Sequence, residues 1–504
     1  MNSQNSQLKT HNYESHYPMS TTPVSAAAAA LAAAVWLAAC ATNPVTGERE
    51  FALMSEAQEI GIGQEMDPQV RQEFGVYDDP ELQAYVQDIA LRMARNSERP
   101  DLPWTFAVLD SPVVNAFALP GGFIYITRGI MAYLNDEAEL AGVLGHEIGH
   151  VTARHAVQQY TRAMGANLGL TLGAIFVPST RGAVGDLAST GLGLLFLRYG
   201  RDDELQSDRL GARYAATNGW APGGVPDMLL TLGRIGEMSD RSGVPTWLAS
   251  HPEPLTRVDE IRPVVAELEA STPGDLTVDR NAYLQRITGL LFGDNPREGV
   301  VRGSRFLHRD LRFALDFPQG WLIQNTPEQV LSKDPGAEAY VLLQLVQNPQ
   351  GRNLEAMAID GMRDDGFQAV EGGMATIDGE PAFLGTFRGQ LQQLGRVTAR
   401  VAYIEHESRV FRLIGFAPDQ LYGSVADRLT ASLRSFDRLS PQEAASITPN
   451  RVAIREVASG DTWQALASRA GAGIVEASTL AIINGYAVNE QPRAGDRVKI
   501  VVAE

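Results

Sequence analysis

The sequence predicts an α+β protein with a mainly helical domain, then a mixed sheet-and-helix domain, then a small strand–helix–helix–strand domain. Helical spacing with capping signals dominates the first half of the chain, and alternating apolar residues predict a sheet over residues 302–437. The third domain is predicted from the order of patterns over residues 451–504. At 504 residues, 44% of them hydrophobic and 20% charged, the chain is long enough for several buried cores.

An uncharged run near the amino terminus ends at Cys40, the single cysteine of the chain. Its apolar part, residues 24–39, is short for a bilayer crossing and suits a secretory signal. "LAAC" looks like a bacterial lipobox, so we expect residues 1–39 to be a lipoprotein signal peptide and Cys40 to be lipidated. A buried cysteine after an uncleaved anchor is the alternative. Translation could start at Met1 or Met19, and Ala41 favours periplasmic anchoring to the outer membrane.

Capping residues predict where the first helices begin. Ser55 with Gln58 forms a capping-box pattern, and Asp79 precedes a proline at the first helical position. Asn135 is expected to cap a third helix, and residues 104–110 and 121–129 have strand composition.

The third helix runs into "LGHEIGHVTARH", residues 144–155. His146 and His150 are four residues apart and so share one helical face, where two imidazoles can bind one Zn²⁺. Glu147 can reach a water on that ion without binding the ion itself. His155 lies about 140° from this face, so we exclude it as a ligand and expect structural hydrogen bonds.

A second helical segment, "DDELQSDRLGARYAATNGW", carries two acids on one face. A catalytic zinc site needs a third protein ligand, and Glu204 can supply it. Asp208, one turn later, can orient a ligand imidazole through a hydrogen bond. A solvated acidic face is the alternative for such a pair.

Four motifs occur in the chain in the order found in a known family: "NAFALPGG", "LGHEIGH", "ELQSDRLGARY" and "SHPEPLTR". From about Asn43 to Arg262 the chain resembles the peptidase family of HtpX, BepA and the CaaX prenyl proteases. The resemblance implies a gluzincin fold (a zincin whose third ligand is glutamate), with one zinc ion on His146, His150 and Glu204 and with Glu147 as catalytic base. The chain has no convincing transmembrane helix beyond its signal, which favours the soluble, periplasmic BepA-like branch, although we find no C-terminal helical repeats.

The same resemblance suggests residues for substrate binding. His251 and Arg257 would stabilise the substrate carbonyl or the transition state, or His251 would cap the zinc at rest. Residues Asn115, Ala116 and Phe117 would belong to an edge strand that binds extended substrate, with a core strand as the competing interpretation. The uncharged run of residues 164–180 predicts packed helices or a mobile flap near the cleft, with membrane contact as a third alternative.

These patterns divide the chain into a zinc metallopeptidase domain at 40–272, a linker at 273–301, an α+β domain of unknown role at 302–437, a linker at 438–450 and a last domain at 451–504. The last domain resembles a LysM module, which implies peptidoglycan binding. A diverged copy that only packs against its neighbour is the alternative.

We therefore expect a zinc endopeptidase that cleaves misfolded or unassembled envelope proteins and is anchored to the membrane through Cys40. The net charge of −18 argues against nucleic acid as a partner. The alternatives are an envelope chaperone or scaffold with a vestigial metal site, and a peptidoglycan-associated protein with little proteolytic activity.

Overall fold

The computed structural model of the protein describes residues 40–167, 198–239, 246–347, 351–471 and 473–504. The expected signal peptide, residues 1–39, lies outside the described residues, as does the uncharged run from residue 168 onward. Among the helices of the described ranges, none is both long and apolar enough to cross a bilayer.

The first part of the chain is mainly helical, with two small sheets. Its strands are β1 (Cys40–Thr42), β2 (Arg49–Phe51), β3 (Thr105–Leu109), β4 (Ala116–Leu119) and β5 (Phe123–Thr127). Its helices are α1 (Glu56–Phe74), α2 (Pro80–Arg95), α3 (Arg128–Tyr133), α4 (Glu137–Thr152), α5 (His155–Asn167), α6 (Arg201–Thr217), α7 (Gly224–Ser239), α8 (Thr246–Ser250), α9 (Pro254–Ser271) and α10 (Arg280–Arg286).

Local hydrogen bonds explain where these helices begin. Ser55 and Gln58 form the expected capping box of α1, and the Asp79 side chain accepts from the backbone of Leu82 in α2. The cap of α4 is Asp136 and not Asn135 as expected. Adjacent Asn and Asp cap almost equally well, so the sequence does not distinguish them.

The sheet of this part has the order β3-β5-β4. Strands β3 and β5 run parallel, while β4 runs antiparallel to β5 and forms an edge. Helix α4 lies in the middle of the largest core, and every residue from Ala138 to Thr152 is buried. A helix that is buried on all sides needs apolar side chains, or polar side chains that bind other buried groups. Helix α4 contains both kinds.

The predicted linker at residues 273–301 is wrong as a description of this segment. It contains α10 and strand β6 (Leu291–Phe292), and Tyr283 and Leu284 are fully buried in the same core as α4. The periodic pattern of the sequence is weak over this segment, but its short elements still bury apolar side chains.

The second part of the chain is built on a seven-stranded antiparallel sheet with the order β10-β11-β12-β16-β15-β14-β13, next to a four-stranded sheet with the order β17-β9-β8-β7. Its strands are β7 (Val300–Arg302), β8 (Arg305–His308), β9 (Phe313–Asp316), β10 (Leu322–Asn325), β11 (Gln329–Lys333), β12 (Tyr340–Val346), β13 (Gln368–Ile377), β14 (Glu380–Leu391), β15 (Gly395–His406), β16 (Arg409–Pro418) and β17 (Asp437–Arg438). Its helices are α11 (Leu354–Asp364) and α12 (Asp419–Arg434).

The two helices cover different faces of the larger sheet. In β15, Val401 and Tyr403 belong to the cluster around α11, while Ala402 and Ile404 belong to the cluster around α12. The alternation of side chains along the strand produces this division, because successive residues point to opposite faces.

The end of the chain contains helix α13 (Pro441–Ala445), strand β18 (Asn450–Glu456), helices α14 (Trp463–Ala470) and α15 (Ala477–Ile483), and strand β19 (Arg497–Ala503). The expected linker at 438–450 therefore includes a helix, and its Ile447 is buried. Strand β18 pairs with β19 and with β6, and Val452 belongs to the core around α4. The last domain thus packs directly against the helical part of the chain.

Candidate metal centre

Helices α4 and α6 pack very closely because glycines lie at their contact. A Cβ atom on Gly211 would lie 2.8 Å from the backbone nitrogen of His146, and one on Gly149 would lie 3.1 Å from Cα of Ser207. A side chain at Gly211 would force the backbones apart, and one at Gly149 would make a contact tighter than normal packing, so glycine at both positions permits the close approach. The close approach brings the acidic face of α6 against the histidine face of α4.

Four buried side chains place potential ligand atoms within 4.8 Å of one another: His146, His150, Glu204 and His251. The two Nε2 atoms of His146 and His150 are 3.0 Å apart, and Nδ1 of His251 lies 3.3 Å from the first of them and 3.0 Å from Glu204 Oε1. The structure therefore brings together the three predicted ligands and adds His251 to them.

The hydrogen bonds behind the two helix histidines test whether this cluster fits a cation. His146 Nδ1 lies 2.9 Å from Asp208 Oδ1, the contact expected for Asp208, and His150 Nδ1 lies 3.0 Å from His155 Nδ1. A neutral imidazole whose proton is on Nδ1 presents a lone pair at Nε2. Two such lone pairs and a carboxylate then face one another, and this donor set fits zinc.

Arg257 lies beside the ligand cluster and contacts two of its acids. It is 1% exposed and forms an ion pair with Glu204, while its Nε and Nη2 donate to Asp208 at 2.8 and 2.6 Å. Its expected role towards the substrate carbonyl or the transition state stays a prediction. Two carboxylates buried next to each other need a compensating cation, and Arg257 supplies it.

Electrostatics fix the protonation of the ligand set. Burial opposes ionisation of Glu204, but the charges of His251 and Arg257 hold its pKa well below the ordinary value. Burial lowers the pKa of His150 well below the ordinary value, so its ring is neutral. A deprotonated carboxylate and a neutral imidazole are the forms that bind metals.

Glu147 is 1% exposed, and its Oε1 has no hydrogen-bond partner in the described residues. This oxygen lies 3.7 Å from Nε2 of His251. Burial raises the pKa of Glu147, and the nearby histidines oppose the shift. An unpaired carboxylate oxygen next to the ligand cluster can accept a proton from a reacting molecule.

The predicted substrate segment lies at the edge strand β4. Asn115 precedes the strand, and its side-chain Oδ1 is buried without a hydrogen-bond partner in the described part of the chain. The side chain of Phe117 instead packs into the core, with its ring 5.1 Å from that of Tyr125. Ala118 and Leu119 line a small cavity together with His150, so the strand approaches the cluster there.

With this geometry in place, comparison with known proteins decides the family. Residues 80–265 match the model of Peptidase family M48. This segment belongs to peptidase family M48. The family's members are zinc-dependent metallopeptidases, so the predictions of a metallopeptidase and of zinc are confirmed for this segment at the level of the family. The predicted bounds of the domain, 40–272, stay a prediction.

Relatives of the M48 domain agree with this assignment. The beta-barrel assembly-enhancing protease of Escherichia coli K12 is 28% identical over 326 residues, which cover 60% of this chain and 65% of that protein. The mitochondrial metalloendopeptidase OMA1 of Arabidopsis thaliana is 33% identical over 180 residues, which cover 35% of each chain. The aligned part thus spans less than two thirds of either relative.

Two solved structures are similar to the chain at a low level. The cyanobacterial PsbP protein of Synechocystis sp. PCC 6803 gives a TM-score of 0.22 at 10% identity, covering 28% of this chain and 95% of that one. LpqN of Mycobacterium tuberculosis gives 0.20 at 16% identity, covering 28% and 87%.

Two aromatic rings that were not predicted from the sequence lie against the M48 metal cluster. The ring centroid of Tyr199 lies 3.9 Å from that of His150, and Trp247 stacks on His251 at 4.8 Å with an interplanar angle of 18°. Trp247 is four residues before His251, a helical spacing that could have revealed it. Tyr199 precedes α6 in the chain, and no spacing rule connects it to the centre.

Proposed function

We propose that the protein is a zinc-dependent endopeptidase of the bacterial cell envelope that cleaves misfolded or unassembled envelope proteins. The observation that carries this proposal is the convergence of three ligand atoms, from His146, His150 and Glu204, beside the unpaired oxygen of Glu147. Two imidazoles, a carboxylate and an adjacent general base make up the machinery of metal-assisted hydrolysis.

His146, His150 and Glu204 would hold the zinc ion. Zinc bound there would polarise the scissile carbonyl and lower the pKa of a water towards about 7. Asp208 orients His146 by accepting from its Nδ1 at 2.9 Å, and Arg257 holds Asp208 in turn. The chain therefore supplies both the ligands and the groups that fix their direction.

Glu147 acts as the general base. It takes a proton from the attacking water and passes it to the leaving amine, so that the peptide bond breaks with no net change in the enzyme's protonation. Its Oε1 is buried and accepts no hydrogen bond from the described residues, which supports this role, because a carboxylate already engaged in hydrogen bonds would be a weaker base.

His251 and Asn115 would act at the substrate site. In the structure Nδ1 of His251 lies among the ligand atoms, which supports a fourth position on the metal at rest. Moving from there, its ring could stabilise the developing oxyanion. The unpaired Oδ1 of Asn115 would accept from a backbone N–H of an extended substrate beside β4.

The compartment and substrate class are inferred from the sequence and the relatives. The E. coli relative is a beta-barrel assembly-enhancing protease, which supports unassembled envelope proteins as substrates. We place the protein in the periplasm, held to the outer membrane by a lipid on Cys40. The structure supports a short tether, because Asn43, three residues on, is 2% exposed and donates to the carbonyl of Ala153.

We further propose that residues 451–504 are a LysM-like domain that binds peptidoglycan. The support is the order of strand, two helices and strand, with β18 and β19 paired. A pelleting assay with purified sacculi tests it: retention without release of muropeptides is the expected result. Release would instead favour peptidoglycan hydrolysis, and no retention would leave only a packing role.

The peptidase is tested by comparing the purified protein with Glu147→Gln. Both should contain one zinc ion per chain, because Glu147 is not a ligand, while casein cleavage should fall by about 10²–10⁴-fold in the variant. Equal cleavage by both proteins, or an absence of zinc from both after loading, would reject the proposal. Envelope proteins captured by the inactive variant would identify the substrate class.

A further inference from the structure

His155 is a fully buried histidine that the proposed mechanism does not use. It is 0% exposed and opens helix α5. Arg154, just before it, has a φ of 58°, in the left-handed region. The chain therefore turns after α4, and this turn brings the ring of His155 back to the metal cluster. The angle calculated for a continuous helix does not apply to it.

Both ring nitrogens of His155 have partners. Nδ1 lies 3.0 Å from His150 Nδ1 and 3.3 Å from Ser207 Oγ, while Nε2 lies 2.9 Å from Gln206 Oε1. Asp203 Oδ1 is further away, at 3.9 Å from Nε2. These contacts form a chain that runs from the ligand histidine through His155 to an amide of α6.

The order of donors in this chain follows from the role of His150. If His150 binds a metal through Nε2, its proton is on Nδ1, which must donate to the Nδ1 of His155. The proton of His155 is then on Nε2 and is donated to Gln206 Oε1. Each of the two imidazoles therefore has one tautomer that satisfies the neighbours on both sides.

The two ligand histidines are thus held by different chemistry. His146 is held by the carboxylate of Asp208, whereas His150 is held by a neutral imidazole. Metal-binding histidines usually donate to a carboxylate, a carbonyl or water. A neutral acceptor at this place avoids adding another buried carboxylate to Glu147, Glu204 and Asp208, of which Arg257 already compensates the last two.

We propose that His155 is a positioning residue that fixes the tautomer and ring direction of His150 and so strengthens zinc binding. The proposal rests on the proposed function only in taking zinc as the metal. His155 does not touch substrate or metal. Loss of such a partner costs about 10–100-fold in metal affinity in comparable sites.

Three substitutions at this position separate its contacts. His155→Phe keeps a ring but removes both partners. His155→Asn places a side-chain oxygen near the position of Nδ1, so it keeps an acceptor for His150. His155→Gln reaches towards Gln206 but not towards His150. The dissociation constant for zinc is measured by competition with a chromophoric chelator, and the absorption spectrum of the cobalt-loaded protein is recorded beside it.

We expect zinc affinity to fall by about 10–100-fold in the Phe and Gln variants and by less than about fivefold in the Asn variant. The cobalt spectrum should change in the first two and stay close to the parent in the third. Unchanged affinity in folded His155→Phe would overturn the inference, as would an equal loss in all three variants, since that pattern indicates packing alone.

Controls keep the result interpretable. His308→Phe, in the second part of the chain, should leave zinc affinity unchanged, and circular dichroism of the zinc-free proteins reports folding. If His155→Phe does not fold, Gln206→Met removes the far acceptor instead and should weaken zinc binding by about threefold or more. A parent protein that binds no zinc would reject the proposed function itself. If the parent binds zinc and His155→Phe binds it equally well, only this inference is rejected.

Discussion

Arg257 binds both carboxylate oxygens of Asp208 in the interior of the M48 domain, with N–O distances of 2.8 and 2.6 Å. Asp208 in turn lies 2.9 Å from the Nδ1 of His146. One guanidinium therefore holds the carboxylate that orients a ligand, and its pairing with Glu204 places a second carboxylate in the same cluster. The electrostatic balance of the centre depends on this arginine.

Replacing Arg257 by alanine should leave two buried carboxylates without their cation. We expect the free energy of unfolding to fall by about 3–5 kcal/mol, with a loss of zinc. Arg257→Lys keeps the charge but not the paired bonds and should lie between alanine and the parent. Denaturant unfolding and zinc analysis measure both effects. Parental stability and zinc content with lost activity would instead indicate a substrate contact.

The glycine contact between α4 and α6 should control the geometry of the centre. In Gly211→Ala the new methyl group meets the backbone of His146, so α6 must move away and carry Glu204 with it. We expect weaker zinc binding and a lower thermal midpoint. Gly61→Ala is the matched control, because a Cβ there meets nothing within 4 Å. Equal behaviour of the two variants would contradict the prediction.

Asn115 offers a test of substrate binding that separates it from folding. Asn115→Ala removes a buried oxygen that has no hydrogen-bond partner within the described ranges, so stability should be unchanged or slightly higher. The value of kcat/KM should fall by about 10-fold or more, with zinc content unaffected. Peptide cleavage and thermal unfolding are measured together. A large loss of stability without a kinetic effect would indicate a structural role.

The buried carboxyl group of Glu139 should make the protein less stable as the pH rises. Burial, with the charge of Asp136, raises the pKa of Glu139 to about 8 against an ordinary 4.5. A raised pKa means that the folded state holds the proton more tightly, so its contribution is complete below pH 4.5 and is lost as pH rises towards 8. The slope approaches about 1.4 kcal/mol per pH unit. The free energy of unfolding is measured at pH 5, 6.5 and 8. Its slope against pH should be smaller for Glu139→Gln than for the parent, and equal slopes would refute the prediction.

Lys499 tests whether the last domain and the M48 domain unfold together. It is fully buried, and its Nζ donates to the carbonyl of Leu134 just before α4. Lys499→Met should lower the free energy of unfolding by about 1–3 kcal/mol and keep a single calorimetric transition. Lys333→Met, at an exposed ion pair, should change little. Two transitions, of which only one shifts, would show that the domains are independent.

The sequence by itself determined the chemistry that local spacing controls. The four-residue interval puts His146 and His150 on one face, and the same interval does so for Glu204 and Asp208. Capping residues placed the starts of α1 and α2, and alternation predicted that the second part contains a sheet. In each case the residues belong to one element, whose geometry is known before any packing.

Only the tertiary structure decided how these elements meet. Arg257 faces the acids of α6, His251 joins the ligand cluster, His155 returns to His150 after a left-handed turn, and Val452 enters the core around α4. Each of these contacts joins residues on different elements. Spacing along one helix fixes an angle around its axis, whereas close packing across glycines and shared burial of apolar surface decide which faces come together.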